Sequence, residues 1–297
     1  MAARETSIVR GRMVDGWGNP NILPEANPPV GGCRMNPVRG DVRPPAVAGS
    51  FYSADAAELR RQLAALLAGD GEEHPRPKAL ILPHAGHCYC APIAAGALRH
   101  LHGHGYRRMV VVCPTHRVAT SGAALCGAAA FRTPLGDVTV DQEAVDALAG
   151  GAEGFAIDDR VHAEEHAIEV LLPYLQLLYR EPPQLVPIAA GMIAPEILAR
   201  GLAALWADDA TLVIISSDLS HFLPYETAQR VDQESCAAIL AGRAIDHQRA
   251  CGATGINALS LLRQGGDCAI EMTGYCNSGD SGGGRQSVVG YAGFVVA

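Results

Sequence analysis

Residues 78–114 read KALILPHAGHCYCAPIAAGALRHLHGHGYRRMVVVCP, and this stretch decides the fold class. It starts with a short aliphatic run, continues with an Ala-rich run of helical character and ends with a second aliphatic run. Runs that are apolar on both faces are typical of strands buried inside a parallel sheet. A strand, a helix and a strand in this order therefore favour an α/β fold.

Similar runs alternate through the rest of the chain. Two more buried strands are predicted at residues 183–191 and 211–218, and residues 287–297 predict a last strand that closes the sheet. Helices are predicted at residues 54–69, 92–105, 140–151, 166–180, 194–208 and 231–242. The pattern predicts a single α/β domain over residues 41–297, with a mostly parallel central sheet flanked by helices.

The first 40 residues have a different character. They are rich in Gly, Pro and Asn and show neither strand nor helix periodicity. We therefore predict a flexible N-terminal tail over residues 1–40. The first helix is predicted to begin after Ser53, as its N-cap, and to end at Gly69.

The composition argues against nucleic acid or a membrane as a partner. The 23 basic residues are scattered among 31 acidic ones, so the net charge is -8 and no basic stripe arises. No run approaches the roughly 18 to 20 apolar residues of a membrane span, and no secretion signal opens the chain. We expect a soluble, cytoplasmic protein whose nine cysteines are mostly free thiols.

Histidines follow three of the predicted strands. His84 and His116 come after the two aliphatic runs of residues 78–114, and Asp218 and His221 come after residues 211–216. Ligands of open α/β sheets bind at the carboxyl ends of the strands, and neutral imidazoles are common ligands for Zn, Fe, Cu and Ni. The spacing predicts an open metal site at this edge, whereas any one of these histidines could instead be a hydrogen-bonded loop residue.

The segment HAEEHAIEV places two histidines, His162 and His166, four residues apart. Glu165 and Glu169 have the same separation, so each pair is expected to share a helical face. The HExxH order of zinc proteases is absent, because Ala163 follows His162. Glu165 and His166 are expected to line the mouth of a pocket or to hold a ligand loop, and a solvated helix end is the alternative.

Two further clusters need a simpler explanation. The HCYC run could extend the metal site or form a redox-sensitive thiol, but buried free cysteines usually behave as small hydrophobic residues. Cys90 is therefore expected close to the site but not as a ligand, and His87 is expected beside the site. The tract RHLHGHGYRR contains His100, His102 and His104 and has the composition of a metal-trapping segment. Histidines at the end of a helix also suit the helix dipole, which is a sufficient explanation.

Six motifs in order resemble those of one known family. They are AVAGSFY, LPHAGHCYCAPIAAGA, CPTHRV, HAEEHAIEVLLPYL, ISSDLSHF and YCNSGDSGGGRQSVVGYAG, and they extend from residue 46 to residue 293. The chain resembles the MEMO family, whose microbial members are called AmmeMemoRadiSam system protein B. The resemblance implies the fold of the class III extradiol ring-cleavage dioxygenases, in which non-haem iron lies at the strand ends.

The resemblance also implies roles for individual residues. His84, His116 and Cys251 match the metal-binding positions of the family, where the dioxygenases have a glutamate in place of the cysteine. A thiolate there makes copper or zinc suitable as well as iron. His221 is implied as a proton donor and acceptor, and Asp218 as the residue that orients it or that supports a ligand histidine. The alternative for Asp218 is a cap on the next helix.

Three functions follow as hypotheses. The first is a non-haem iron, or copper, redox enzyme related to the extradiol dioxygenases and working with a radical SAM partner. The second is a non-catalytic adaptor that binds a metal, or a small-molecule or peptide ligand, in the same cleft. The third is zinc-dependent hydrolysis, since an open zinc site lowers the pKa of bound water.

Overall fold

The computed structural model describes residues 40–68, 73–264, 266 and 268–297. Apart from Gly40, the predicted tail of residues 1–40 lies outside the described residues, and so does Gly69.

The described residues form twelve strands. These are β1 (Val42–Arg43), β2 (Ala79–Leu82), β3 (Arg108–Pro114), β4 (Ala123–Leu125), β5 (Ala130–Thr133), β6 (Gly136–Thr139), β7 (Phe155–Ile157), β8 (Gln184–Ala190), β9 (Thr211–Ser216), β10 (His221–Leu223), β11 (Ile270–Asn277) and β12 (Val288–Val296). The five predicted strands are confirmed as β2, β3, β8, β9 and β12.

Eight α-helices lie between the strands in the same part of the chain. They are α1 (Ala56–Leu67), α2 (His87–Leu98), α3 (Gln142–Gly151), α4 (Asp159–Ala163), α5 (Leu172–Leu178), α6 (Pro195–Ala207), α7 (Tyr225–Leu240) and α8 (Ala253–Arg263). Short 3-10 helices span Arg99–Leu101 and Glu169–Leu171. The alternation of helices and strands confirms the predicted single-domain α/β class.

The main sheet has the strand order β10-β12-β2-β9-β3-β8-β4-β7, with β11 paired to β12. Its centre, β2-β9-β3-β8, is parallel. At the two flanks, β12 runs antiparallel to β2 and β4 runs antiparallel to β8, while β4 and β7 are parallel. All residues of β2 and β9 are buried, which explains why their sequences are apolar on both faces. Because the central strands are parallel, the residues that follow β2, β3 and β9 meet at one edge.

A small sheet of order β1-β5-β6 stands apart from the main one. Its first strand carries Arg43, whose side chain is fully buried. Arg43 pairs with the buried carboxylate of Glu169 and donates to the backbone oxygens of His162 (3.0 Å) and Glu165 (2.6 Å). The pair therefore fixes the backbone between α4 and α5.

The prediction that residues 162–169 form one helix is wrong. Helix α4 ends at Ala163, and α-helix resumes only at Leu172. His162 turns into the core, where its Nε2 lies 2.9 Å from the oxygen of Ala124. Glu165 and Glu169 therefore do not share a helical face, because no continuous helix joins them. Glu169 instead pairs with buried Arg43.

The cap of helix α1 and the presence of helix α8 also differ from prediction. Helix α1 is capped by Asp55, whose Oδ1 accepts the N–H of Glu58 at 2.7 Å, while the Ser53 hydroxyl bonds the Glu58 carboxylate. Helix α8 is not among the predicted helices. Its glycines, Gly252 and Gly255, lower helix propensity, but they allow the helix to approach β9 closely.

Candidate metal centre

Three histidines converge at the carboxyl edge of the sheet. His84 follows β2, His116 follows β3, and His166 lies in the segment between α4 and α5. One donor nitrogen from each ring lies within 4.8 Å of the other two. The thiol of Cys251 lies beside this group, with its Sγ 3.3 Å from Nε2 of His84.

The hydrogen bonds of His84 leave its Nε2 available to a metal. Its Nδ1 lies 2.8 Å from the hydroxyl of Ser216, and that hydroxyl donates its proton to the oxygen of Ala167 at 2.7 Å. Because the hydroxyl has only one proton, Nδ1–H of His84 must be the donor to Ser216. Burial lowers the pKa of His84 to about 3, so the ring is neutral at pH 7.

His116 is oriented by a carboxylate in the same way. The Oε1 of Glu165 lies 2.8 Å from Nδ1 of His116, and Oε2 accepts the backbone N–H of His116 at 2.7 Å. Burial by itself would raise the pKa of Glu165, but its hydrogen bond and charge contact with His116 outweigh burial and lower the pKa to about 2. A metal-binding histidine usually donates its second N–H to such a carboxylate.

His166 brings an imidazole nitrogen with no partner. Its Nδ1 is buried and makes no hydrogen bond among the described residues, although Oε1 of Glu165 lies 3.4 Å away. Burial, with the neighbouring His84, lowers the pKa of His166 to about 3. His166 is neutral, lies next to two other histidines and has a buried nitrogen without a hydrogen bond in the described part of the chain. These features suit a metal ligand better than the predicted role at the mouth of a pocket.

Cys251 precedes helix α8 and faces the histidines. The backbone N–H of Asp218 donates to its Sγ at 3.3 Å, which is an interaction that stabilises a thiolate. Burial and the nearby Asp218 carboxylate nevertheless raise the pKa of Cys251 to about 12, so a metal ion must displace the thiol proton.

The three histidine nitrogens form a group that could hold a metal ion, and Cys251 contacts one of them. With metal–sulfur and metal–nitrogen bonds of about 2.3 and 2.05 Å, neighbouring donors of a tetrahedral zinc site are roughly 3.3 to 3.6 Å apart. The 3.3 Å between Cys251 Sγ and His84 Nε2 is shorter than the roughly 3.6 Å of a sulfur and a nitrogen ligand, and it fits a hydrogen bond between thiol and imidazole. The predicted ligands His84, His116 and Cys251 thus lie together, and their coordination of a metal stays a prediction.

The predicted acid–base pair lies beside the cluster. Asp218 accepts the backbone N–H of His84 at 2.8 Å, and burial raises its pKa to about 6. His221 instead contacts the oxygen of Leu219 through Nδ1 at 2.8 Å. Residues after β9 continue into β10 rather than a helix, so the capping alternative for Asp218 is wrong.

His87 and Cys90 lie in helix α2, and the hydrogen bonds of both go to backbone oxygens. The ring of His87 packs between Tyr52 and Tyr174, at centroid distances of 5.4 and 4.8 Å, and its Nε2 lies 2.8 Å from the oxygen of Val170. Burial lowers the pKa of His87 to about 4. The Cys90 thiol is buried and donates to the oxygen of Ala85 at 3.2 Å.

A cavity of about 410 Å³ opens beside the cluster. His116 and Cys251 form part of its wall, and His247, Thr254 and the exposed Met192 also line it. His247 is held by the Thr254 hydroxyl, 3.0 Å from its Nε2. Sequence reasoning did not select His247 or Thr254, although both lie within four residues of Cys251.

No helix in the described part of the chain has the length and apolarity needed to cross a membrane.

Comparisons with known proteins agree on one family. The profile described as Memo-like protein matches residues 43–295. A MEMO1 family protein of Sulfurisphaera tokodaii is 31% identical over 279 residues, covering 84% of this chain and 97% of the relative. MEMO1 family protein MK0963 of Methanopyrus kandleri is 35% identical over 279 residues, covering 85% of this chain and 98% of the relative.

One solved structure is also similar. The crystal structure of the uncharacterized protein JW3007 from Escherichia coli K12 covers 75% of this chain and all of its own chain, with 14% identity and a TM-score of 0.47. At this level the similarity adds no argument about the fold.

Proposed function

Since this chain belongs to the Memo-like protein family, we propose that it is a metal-dependent redox enzyme whose metal is held by His84, His116, His166 and Cys251. The observation that carries the proposal is the convergence of three histidine rings at the carboxyl edge of the sheet, with the thiol of Cys251 3.3 Å from one of them. Imidazole and thiolate together suit iron, copper and zinc better than magnesium or calcium.

Iron is the metal that we propose first, with copper and zinc as alternatives. The resemblance to the extradiol dioxygenases supports iron, whereas the thiol of Cys251 favours copper or zinc more than a carboxylate would. A bound iron or copper ion would supply Lewis acidity and one-electron chemistry.

The protein's own residues would position the donors and the substrate. Ser216 and Glu165 hold Nδ1 of His84 and His116, so that Nε2 is the atom of each ring that a metal would bind. His221, with Nδ1–H donated to the oxygen of Leu219, keeps Nε2 as the atom that accepts and returns a substrate proton. The adjoining cavity of about 410 Å³ suits a small-molecule substrate.

An activity assay distinguishes the proposed redox enzyme from the alternative function, a non-catalytic adaptor. Protein reconstituted anaerobically with iron should consume oxygen, or reduce an artificial electron acceptor, in the presence of catechols or other reductants. His116→Ala should abolish this activity, and His221→Gln should lower it while metal content is retained. If the iron-loaded protein is inert but binds Cu(I) tightly, the non-catalytic metal- or ligand-binding adaptor is the correct function.

We further propose a radical SAM protein as partner and a cytoplasmic location. The resemblance to AmmeMemoRadiSam system protein B supports the first, and the scattered cysteines support a reducing compartment. Affinity purification of the chain at its native level should recover a radical SAM protein, and fractionation should place the chain with cytoplasmic markers. Absence of the radical SAM protein from crosslinked samples would remove that partner.

A further inference from the structure

The cavity beside the candidate metal centre is bordered by two sides of different chemistry. It lies at the carboxyl end of β3, where Pro114 and His116 form part of its lining. In the main sheet, β3 runs between β9 and β8. The cavity therefore has one side near the end of β9 and another near the end of β8.

The side near β9 is polar. Cys251 belongs to it, because the backbone N–H of Asp218, shortly after β9, donates to its Sγ at 3.3 Å. His247 and Thr254 line the same side, and Nε2 of His247 lies 3.0 Å from the Thr254 hydroxyl. Together with His116, these residues present imidazole, thiol and hydroxyl groups to a ligand.

The side near β8 is mainly apolar. Ala190 is the last residue of β8, and Met192 and Ile193 follow it in the lining. The Met192 side chain is 82% exposed, which is more than any other large hydrophobic side chain in the described part of the chain. Thr120 also lines this side, and its backbone oxygen accepts the N–H of Met192 at 2.9 Å.

The backbone of Met192 is fixed although its side chain faces solvent. Its oxygen accepts the N–H of Gly122 at 3.0 Å, and the N–H of Gly191 donates to the oxygen of Gly122 at 2.9 Å. A Cβ at Gly191 would lie 2.2 Å from the oxygen of Thr120, so this close approach requires glycine. The main chain thus presents an exposed apolar side chain at a defined place beside the cavity.

We propose that the cavity binds an amphipathic small molecule, whose polar end faces His116 and Cys251 and whose flexible hydrocarbon part covers Met192 and Ile193. This inference deepens the proposed function and rests on it, since the polar end would reach the proposed metal centre. Covering Met192 removes apolar area from water, and its unbranched thioether adapts to ligands of different shape. Met192 is then a specificity-determining residue, because a wholly polar substrate leaves it exposed.

Straight-chain hydroxamic acids, from acetohydroxamic to octanohydroxamic acid, are probes with one metal-binding end and an apolar chain of graded length. Calorimetric titration of the zinc-loaded, untagged full-length chain should show an affinity gain of about threefold for each added methylene. Met192→Gln should lower this gain to less than about twofold, because an amide gains less from being covered. Met272→Gln is the matched control, since Met272 is a half-exposed methionine of β11 outside the cavity lining and should keep the wild-type gain.

Circular dichroism establishes that each variant is folded. The amphipathic ligand would be overturned if no probe binds, if the affinity does not rise with chain length, or if the rise is equal in wild type and Met192→Gln. Acetohydroxamic acid that binds to wild type but not to His116→Ala would still support the proposed centre in the last two cases. Conversely, a rise that depends on Met192, with equal binding of acetohydroxamic acid to wild type and His116→Ala, would overturn the centre and keep the amphipathic ligand.

Discussion

Glu165 organises the candidate centre without being one of its four donors. Its two oxygens accept the backbone N–H and the Nδ1–H of His116, and Oε1 also accepts the N–H of Ala167 at 3.0 Å. The carboxylate therefore fixes a ligand ring and the backbone next to His166 together. Arg43 donates a hydrogen bond to the backbone oxygen of Glu165 at 2.6 Å, which fixes the main chain at this residue as well.

Replacing Glu165 by glutamine should weaken metal binding by roughly 10- to 100-fold, because His116 loses the carboxylate that sets its tautomer and basicity. Competition with a chromophoric chelator measures the change. Glu164→Gln is the matched control, since Glu164 is exposed and should leave the affinity as it is in wild type. Equal affinities for the two variants would contradict this role of Glu165.

His87 behaves as an aromatic residue of the core. It lies between two tyrosine rings, it is neutral because of its burial, and its Nδ1 has no partner among the described residues. His87→Phe removes both that unsatisfied nitrogen and the contact with the oxygen of Val170. We expect a change in unfolding free energy within about 1 kcal/mol and unchanged metal content, as measured by urea unfolding and elemental analysis. Loss of metal would show that His87 belongs to the centre.

Candidate ligands that directly follow a buried strand could be predicted from the sequence, whereas those on irregular segments could not. His84 and His116 were predictable because buried strands lead directly to them. His166 was not predictable as a ligand, because it lies on the irregular segment between α4 and α5 and no strand leads to it. The buried pair of Arg43 with Glu169 joins residues far apart in the chain, and no local pattern predicts it.

Helix α8 positions Cys251 through a glycine. A Cβ at Gly252 would lie 2.6 Å from Cβ of Ser217 and 2.7 Å from the oxygen of Ser216, so only glycine lets the start of α8 touch the end of β9. The N–H of Gly252 also donates to the Ser217 hydroxyl at 2.9 Å. This contact explains why a cysteine far along the chain reaches the histidines.

Gly252→Ala should therefore displace the start of α8, lower stability by about 1 to 3 kcal/mol and weaken metal binding. Gly150→Ala is a matched control in α3, where an added Cβ meets no atom within 4 Å and should stabilise by about 0.5 to 1 kcal/mol. Thermal unfolding and metal titration measure both variants. A Gly252→Ala protein with wild-type stability would contradict the close approach.

At the level of elements, the central strands were predictable because burial on both faces leaves a continuous apolar run. Helix α8 was not, because Gly252 and Gly255 serve packing against β9 and look like turn residues in sequence. The small sheet was also missed, since β1, β5 and β6 have at most four residues each.

For the whole molecule, four buried histidines should make the metal-free protein sensitive to acid. Burial lowers the pKa of His84 and His166 to about 3 and that of His87 and His162 to about 4. The unfolded chain binds these protons near pH 6.5, so stability falls as the pH drops below 6.5, by about 1.4 kcal/mol per pH unit for each histidine.

Asp218 has the opposite effect on the pH dependence of stability. Its pKa is raised to about 6, so its contribution to stability is present at low pH and is lost as the pH rises from about 4 to 6. Asp218 offsets the effect of about one of the four histidines, so a net loss of stability from three histidines remains. The urea concentration at the midpoint of unfolding, measured with a chelator present, should therefore fall steeply from pH 6.5 to pH 5. A constant midpoint over this range would show that the histidines are not buried in neutral form.

The central claim is that four side chains from distant parts of the chain bind one metal ion. Elemental analysis of anaerobically purified, untagged protein tests it most directly, with wild type beside His84→Ala, His116→Ala, His166→Ala and Cys251→Ser. We predict near-stoichiometric iron in wild type and its loss in all four variants. Wild type and variants that are equally free of iron and copper after reconstitution would contradict the claim, and the cleft would then be a ligand site without a metal.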